Sequence, residues 1–254
     1  MRQGFIGSSS CWSCFNEHKT RRREEITVNV VKVGGSLSQN PKALRSLCQK
    51  LSFLADKHCI VVVPGGGKFA DCVRAADREF TLSAKTAHHM AILGMDQYGL
   101  LLSNLIKPNS HVVNSLEKTK KAKTGIATVF LPSKFIISKD EKELPKSWEV
   151  TSDSIAAYIA KKLGAKKVLL LKTVDGIYTD KPKKETQTST TAKLLGHLTI
   201  EELLERENRT CVDPYLPKLL KTLKIDCNII NGLYPDRVET ALNKQKVIGT
   251  VISP

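Results

Sequence analysis

The stretch WEVTSDSIAAYIAKKLGAKKVLLLKTVDGIY, Trp148 to Tyr178, decides how the chain is read. Thr151 or Ser152 can cap a helix, with Asp153 at its start. Ile155, Ala156, Ile159, Ala160 and Leu163 then recur at helical spacing, and Gly164 ends the helix. Lys167 to Leu171 is a short apolar run of strand length, followed by the polar loop Lys172-Thr-Val-Asp-Gly-Ile-Tyr. An acid at a helix start and a polar loop after a buried strand point to one edge of a sheet. In open α/β folds that edge is where ligands bind.

Upstream, Thr27 to Val33 is a buried-strand pattern with Lys32 near its end, and Gly34-Gly35-Ser36 follows. Asn40-Pro41 reads as cap and first helical turn, and Leu44, Leu47, Leu51 and Leu54 form one stripe. Cys59 to Val63 is a second strand, broken by Pro64-Gly65-Gly66-Gly67. Helices are predicted from about Lys68, with Phe69, Val73 and Ala76 inward, and from about Ser83 to Leu105, carrying His88, His89, Met90 and Asp96. Strand, glycine loop and helix, twice over, imply a parallel sheet with helices on both faces. Further on, Ile126 to Leu131 and Phe135 to Ile137 read as strands, and Asp140 to Lys146 as a charged loop. Asp180 to Thr191 reads as a mobile polar loop. Ile200 to Leu204, Tyr215 to Leu223 and Pro235 to Leu242 read as helices; Cys227 to Ile230 and Gly249 to Ile252 read as strands. No repeat and no clean linker divides the chain. One domain with two lobes is expected over 26–254, after a flexible extension over 1–25.

With 254 residues, 41% of them hydrophobic, the chain can bury a substantial core, which excludes wholesale disorder. Forty basic against 25 acidic residues give a net charge of +15, which favours anionic partners. The basic runs Arg21-Arg22-Arg23, Lys118 to Lys123 and Lys181 to Lys184 read as solvated loops. A nucleic-acid binder is suggested by charge alone: only 6% of residues are aromatic, and no recognition motif is present. The cysteine count is odd, seven, and most lie in apolar periodic segments. They read as reduced core residues of a cytoplasmic protein. Cys11, Cys14 and His18 could begin a metal site but lack an evident second ligand pair. No apolar run reaches membrane-spanning length.

Glycine lets backbone approach a phosphate closely and aim its N–H groups at it, and the helices after both loops add positive dipole ends. The loops match neither common nucleotide fingerprint. Val62 stands where a G-x-x-x-x-G-K motif ending at Lys68 needs glycine, and G-x-G-x-x-G is absent after both strands. Lys32 is the sharper signal. A lysine at the end of a buried strand must reach out past the strand or pair with an acid. Phosphoryl transfer needs cations on the moving group, and two lysines aligned by one aspartate would supply them.

Lys32-Val-Gly-Gly-Ser, Pro64-Gly-Gly-Gly, Thr151-Ser-Asp-Ser-Ile-Ala, Lys172-Thr-Val-Asp-Gly-Ile-Tyr and Ile248-Gly-Thr-Val-Ile together resemble the amino acid kinase superfamily, in its order and from Ile26 onward. The resemblance implies a three-layer α/β/α sandwich with a mainly parallel central sheet. It implies ATP as co-substrate, Mg2+, a small phosphorylated acceptor, and a homo-oligomer with no nucleic acid or membrane partner. The acceptor would sit in an N-lobe of about 26–150 and ATP in a C-lobe of about 151–254. By motif match Lys32 and Lys218 are the catalytic lysines and Asp153 their organiser. Gly34, Gly35, Ser36, Gly65, Gly66 and Gly67 contact phosphate. Lys172, Thr173, Asp175, Gly176, Tyr178 and Asp180 line the nucleotide site. The surroundings of Lys218, Asp-Pro-Tyr-Leu-Pro-Lys, depart from the glycine-rich approach of acetylglutamate kinases.

Other departures narrow the group. Pro64 precedes the second loop and Lys68-Phe69 follows it, unlike the His-Gly-Gly-Gly-Pro of acetylglutamate kinases. The first loop is not the Lys-Phe-Gly-Gly-Thr of aspartate kinases, and Lys68 to Arg74 lacks the histidine of isopentenyl phosphate kinases. Pro-Gly-Gly-Gly-x-Phe-Ala, then Ser83, His88, Ala91-Ile92 and Met95-Asp96, then Trp148-Glu-Val-Thr-Ser-Asp and Val212-Asp-x-Tyr, look like the kinases of methanofuran biosynthesis. Those convert an aminomethylfuran-methyl phosphate to its diphosphate. His88 and Asp96 are then candidate acceptor contacts, Asp96 for an ammonium group. Neighbours on a helix face different ways, so at most one of His88 and His89 can face the acceptor. Acetylglutamate, uridylate or isopentenyl phosphate kinase, or a nucleotide-binding regulator of the same fold, are the alternatives.

Overall fold

The computed structural model describes residues 1, 27–138, 143–179, 192–206 and 210–254. The extension with Cys11, Cys14, His18 and the Arg21 run, and the loop from Asp180 to Thr191 with its lysine run, lie outside the described residues. Of the charged loop from Asp140, only 143–146 is described.

The first segment alternates as its periodicity predicts: β1 (Asn29–Val33), a 3-10 turn (Gly35–Gln39), α1 (Pro41–Ala55), β2 (Ile60–Pro64), α2 (Gly67–Phe80) and α3 (Ala84–Ile106). Asn40 caps α1 by accepting from Ala43 N at 3.1 Å, and Ser83 caps α3 by accepting from Thr86 N at 3.1 Å. The predicted stripe Leu44, Leu47, Leu51 and Leu54 is buried. Next come β3 (Ser110–Val113), α4 (Leu116–Thr119), β4 (Ala127–Phe130) and α5 (Ser133–Ile137). Here the structure corrects the sequence reading: Phe135 to Ile137 is helical, not a strand. Ile136 N donates to Pro132 O at 2.8 Å. Three apolar residues are too few to separate a period of 3.6 from one of 2. β3 and α4 were not predicted, being short and half polar.

The organising stretch becomes α6 (Ser152–Lys162) and β5 (Lys167–Lys172). Gly164 takes φ +74° just past α6, the left-handed position that favours glycine. Asp153 to Ala160 are all buried, so α6 is an interior helix. Then follow β6 (His197–Thr199), α7 (Ile200–Leu204), α8 (Leu216–Leu223), β7 (Asp226–Asn231), α9 (Asp236–Leu242) and β8 (Gly249–Ser253). β6, only three residues long, was also not predicted.

The strands form one sheet in the order β3-β4-β2-β1-β5-β7-β8-β6, parallel except where β7 meets β8. Alternation along each strand sorts the core into two layers. Val30, Val61 and Leu170 face Ile155 and Ile159 of α6, whereas Val31, Val62 and Leu171 face Leu47 and Leu51 of α1. This is the expected α/β/α sandwich. Lys118, Lys120, Lys121 and Lys123 are exposed, as a solvated run should be. Cys48, Cys59 and Cys227 are buried, Cys211 is half-buried and Cys72 is exposed; all five are free.

Past β1 and β2 the glycine loops extend the sheet. Gly65 N donates to Val33 O at 2.8 Å and Gly34 N to Leu171 O at 2.9 Å. The two loops then touch. A Cβ on Gly35 would lie 2.1 Å from Gly67 N, and Gly67 itself takes φ +55°. Gly35→Ala should therefore destabilise the protein by roughly 2 kcal/mol or more, by forcing backbone from backbone. A denaturation midpoint that stays put would show that the loops need not touch.

Candidate active site

The pleat puts Lys32 on the same face as Val30, and Lys172 on the same face as Val168 and Leu170. Both lysines thus point toward α6. Asp153, in the first turn of α6, meets them. Lys32 Nζ donates to Asp153 Oδ1 at 2.8 Å, and Lys172 Nζ donates to Oδ2 at 2.5 Å. Lys32 and Asp153 are each 3% exposed. Burial alone would raise the Asp153 carboxyl, but Lys32 and Lys172 outweigh it and hold it at about 2. Burial lowers Lys32, against the opposing pull of Asp153. Burial would lower Lys172 too, yet Asp153 leaves it raised.

Lys218 is not part of this cluster. It lies exposed on α8, whose Leu216, Pro217, Leu219 and Leu220 turn inward. The motif match placed it beside Asp153; helical periodicity turns it outward, and Lys172 takes the second place on the carboxylate. Lys172 was legible by the argument used for Lys32, since it also ends a buried strand, but it was read only as part of a nucleotide loop. Asp213 was missed as well. This buried carboxylate accepts from Thr151 N at 3.0 Å, Thr151 Oγ1 at 2.9 Å and Ser154 N at 3.0 Å. Asp-Pro before a helix is a cap signal for α8, and Leu216 N does donate to Asp213 at 2.9 Å. Its grip on α6 is a long-range contact that local sequence does not encode.

A cavity of about 270 Å³ reaches the start of α6 at Thr151 and Ser152, next to Asp153 in the chain, although Lys32, Asp153 and Lys172 themselves do not line it. Gly35, Ser36, Gly66 and Gly67 line it at one end, with Thr151 and Ser152 at the start of α6. The N-termini of α2 and α6 thus both border this cavity, although at α6 the Thr151 and Ser154 N–H groups are already taken by Asp213. Gly34 and Gly65 do not line it, and their N–H groups are committed to the sheet. His88 is on the wall; His89 is half-buried and off it. The Ser147 carbonyl can only accept, so His88 Nδ1 carries the hydrogen of their 3.2 Å bond and Nε2 is left as an acceptor. Burial pushes this ring below its ordinary value. Asp96 is not on the wall. Its carboxylate accepts from Ser133 N at 3.1 Å and from the Ser133 hydroxyl, so its expected role with a substrate ammonium is not what the structure displays. The carboxylate on the wall is Asp71, 2.8 Å from Arg74 Nη1, and Arg74 stacks over Trp148.

The loop after β5 is braced from three sides. Asp175 Oδ1 accepts from Asn231 Nδ2 at 3.0 Å and from Arg237 Nη1 at 2.5 Å, and the Tyr178 hydroxyl lies 3.4 Å from Oδ2. Gly176 packs against Thr250, whose Oγ1 accepts from Ile177 N at 2.8 Å. Thr173 is exposed and Asp180 lies outside the described residues. No group of three potential metal ligands occurs among the described residues. Both oxygens of Asp153 hold lysines and both of Asp213 hold other donors, so these carboxylates do not fit a protein-held metal.

Residues 27–228 match the Amino acid kinase family. The chain belongs to this family. It is 34% identical over 227 residues to the [5-(aminomethyl)furan-3-yl]methyl phosphate kinase of Methanocaldococcus jannaschii, covering 89% of this chain and 97% of that one. It is 26% identical to the uridylate kinase of Methanococcoides burtonii, covering 87% and 95%. Among solved structures, uridylate kinase from Archaeoglobus fulgidus superposes with a TM-score of 0.69 at 24% identity, over 89% of this chain and all of that one. UMP kinase from Ureaplasma parvum gives 0.70 at 21%, over 90% and 99%. These two likenesses establish the shared fold. As an amino acid kinase family member the protein is an ATP-dependent phosphotransferase acting on a small acceptor.

Two measurements check the cluster. Lys32→Met and Lys172→Met should each lower kcat by roughly a hundred- to a thousandfold, whereas the exposed Lys218→Met should cost less than about tenfold. A dead Lys218→Met would place that lysine at the reacting phosphate after all. The second measurement is pH-dependent stability. A carboxyl held at about 2, against an ordinary 3.8, contributes stability that is fully present above 3.8 and lost as pH falls toward 2. Relative to Asp153→Asn, the wild type should therefore lose stability over that acid window. A parallel pH dependence would deny the charge pairing.

Proposed function

We propose that the protein transfers the γ-phosphoryl group of ATP to [5-(aminomethyl)furan-3-yl]methyl phosphate, giving the diphosphate, as a step of methanofuran-type cofactor biosynthesis. The observation that carries the transfer is the Lys32–Asp153–Lys172 cluster, in which Asp153 directly follows the Thr151–Ser152 edge of the cavity. The 34% identical relative supports the acceptor. An oxygen of the acceptor phosphate attacks Pγ, the bond from Pγ to the bridging oxygen breaks, and ADP leaves. Negative charge spreads over the equatorial oxygens, and two preorganised ammonium groups meet it. Asp153 keeps those ammonium groups from repelling each other before substrate arrives. Mg2+ would arrive on the phosphates of ATP, as it commonly does, and neutralise their charge.

The N-terminal half supplies most of the cavity wall, which supports the acceptor in 26–150 and leaves 151–254 for ATP by the family resemblance. On the wall, His88 Nε2 and the Asp71 carboxylate are the acceptors that suit an ammonium group. Leu93, Leu100 and Leu101 of α3 are exposed, which supports a homo-oligomer formed over that helix. No helix among the described residues is long and apolar enough to cross a membrane, and the free cysteines suit the reducing cytoplasm.

Uridylate kinase is the second reading, on the strength of the Methanococcoides burtonii relative. The test is ATP-dependent phosphorylation of the aminomethylfuran phosphate, UMP, isopentenyl phosphate and acetylglutamate, followed by phosphorus NMR. The furan ester should lead UMP by at least about a hundredfold in kcat/KM. A lead for UMP would reverse the assignment. Mg-ATP alone should raise Tm with the logarithm of its concentration. No shift at millimolar Mg-ATP would remove the nucleotide site.

A further inference from the structure

Asp213 is 6% exposed, and none of the donors on its carboxylate is charged. Oδ2 accepts from Thr151 N, Thr151 Oγ1 and Ser154 N, and Oδ1 accepts from Ser154 Oγ at 2.5 Å and Leu216 N. An ordinary cap satisfies its own helix. Thr151, the N-cap residue of α6, makes no side-chain cap bond; its hydroxyl donates away, to Asp213. The capping of α6 has thus been handed to a carboxylate about sixty residues later in the chain, which holds the start of α8 as well. The residues it grips, Thr151 and Ser154, straddle Asp153. The backbone that carries Asp153 is therefore held on both sides.

Charge makes the same point. Lys32 and Lys172 bring two positive charges into the interior and Asp153 brings one negative. Asp213 brings the second, and its field favours the protonated form of both lysines. Replacing one of its oxygens by an amide would set N–H against N–H or O–H, because the bonded backbone groups can only donate.

We propose that Asp213 is a positioning residue for phosphoryl transfer: its carboxylate fixes the first turn of α6, and so holds Asp153 where it aligns Lys32 and Lys172. This rests on the reading that Asp153 organises the two lysines. Asp213 touches no reacting atom and acts through Asp153.

The test is a double-mutant cycle on the full chain, read as kcat and KM for ATP, with Tm recorded for every variant. Asp213→Asn should lower kcat by about ten- to a hundredfold, with KM for ATP within about threefold of native. In an Asp153→Asn background the same change should lower kcat by less than about threefold more, because its target is gone. A lowered Tm with native kcat, or losses that multiply in the double variant, would overturn the proposal and leave Asp213 a structural cap. If Asp213→Asn does not fold, Ser154→Ala removes one of its bonds and is read in the same cycle. Its loss should again vanish in the Asp153→Asn background, and a loss that persists there overturns the proposal. Near-native kcat in Asp153→Asn alone would instead remove the organiser reading, whatever Asp213 does.

Discussion

A carboxylate shared by two buried ammonium groups is what the rest of this molecule has to accommodate. Taking a single lysine out of water costs several kcal/mol, and a second beside it adds repulsion. Asp153 offsets both, one oxygen to each lysine, and the N-terminus of α6 favours its negative charge further. Such a cluster adds little to stability compared with apolar packing of the same volume. Its value lies in charge held ready. In the proposed transfer, ammonium groups already aimed and largely dehydrated would need little reorganisation to meet the charge that develops on the phosphoryl group.

That requirement explains the sheet. Lys32 and Asp153 are 121 residues apart in the chain. They meet because β1 lies at the centre of the sheet, with β2 on one side and β5 on the other. The chain leaves β1 toward β2 and returns on the opposite side as β5, so a crevice opens at the carboxyl ends of these strands, where open α/β sheets bind ligands. Parity does the rest. With Lys32 paired to Leu170, Lys172 falls two residues further on the same face. A one-residue slip in either strand would turn a lysine into the opposite layer, against Leu47 and Leu51.

How far this could be read beforehand follows from how local each signal is. Long periodic elements were legible: α1, α3, α6 and the central strands came out within a residue or two. The 3-residue β6 and the turn-like α5 carry too little pattern and were lost or misread. Lys32 stands out in the sequence as a charge at the end of a buried strand, and the structure pairs it with an acid, as such a burial requires. Lys218 was taken from a motif match, and the amphipathic face of α8 points it to solvent. Asp96 looked free in the sequence because Ser133, its partner, lies 37 residues away. Asp213 was invisible as part of the site for the same reason. Its neighbours spell the cap of α8, while its principal partners are in α6.

The glycines show where a motif and its usual explanation separate. Read as phosphate cradles, all of the loop glycines should face the ligand. Gly34 and Gly65 instead spend their N–H groups on the sheet ladder, and Gly35 is glycine because the Gly67 backbone leaves no room for a Cβ. Close contact between the loops is thus one cause of the pattern. Because the loops touch, the N-terminus of α2 is set against β1, and β1 fixes the height of Lys32. The loop end of the cavity is therefore built on the backbone that continues β1 and β2. In the proposed transfer, an anion at the loops and the cation at the strand end would keep one spacing. On that reading, any side chain that pried the loops apart would disturb binding and transfer together.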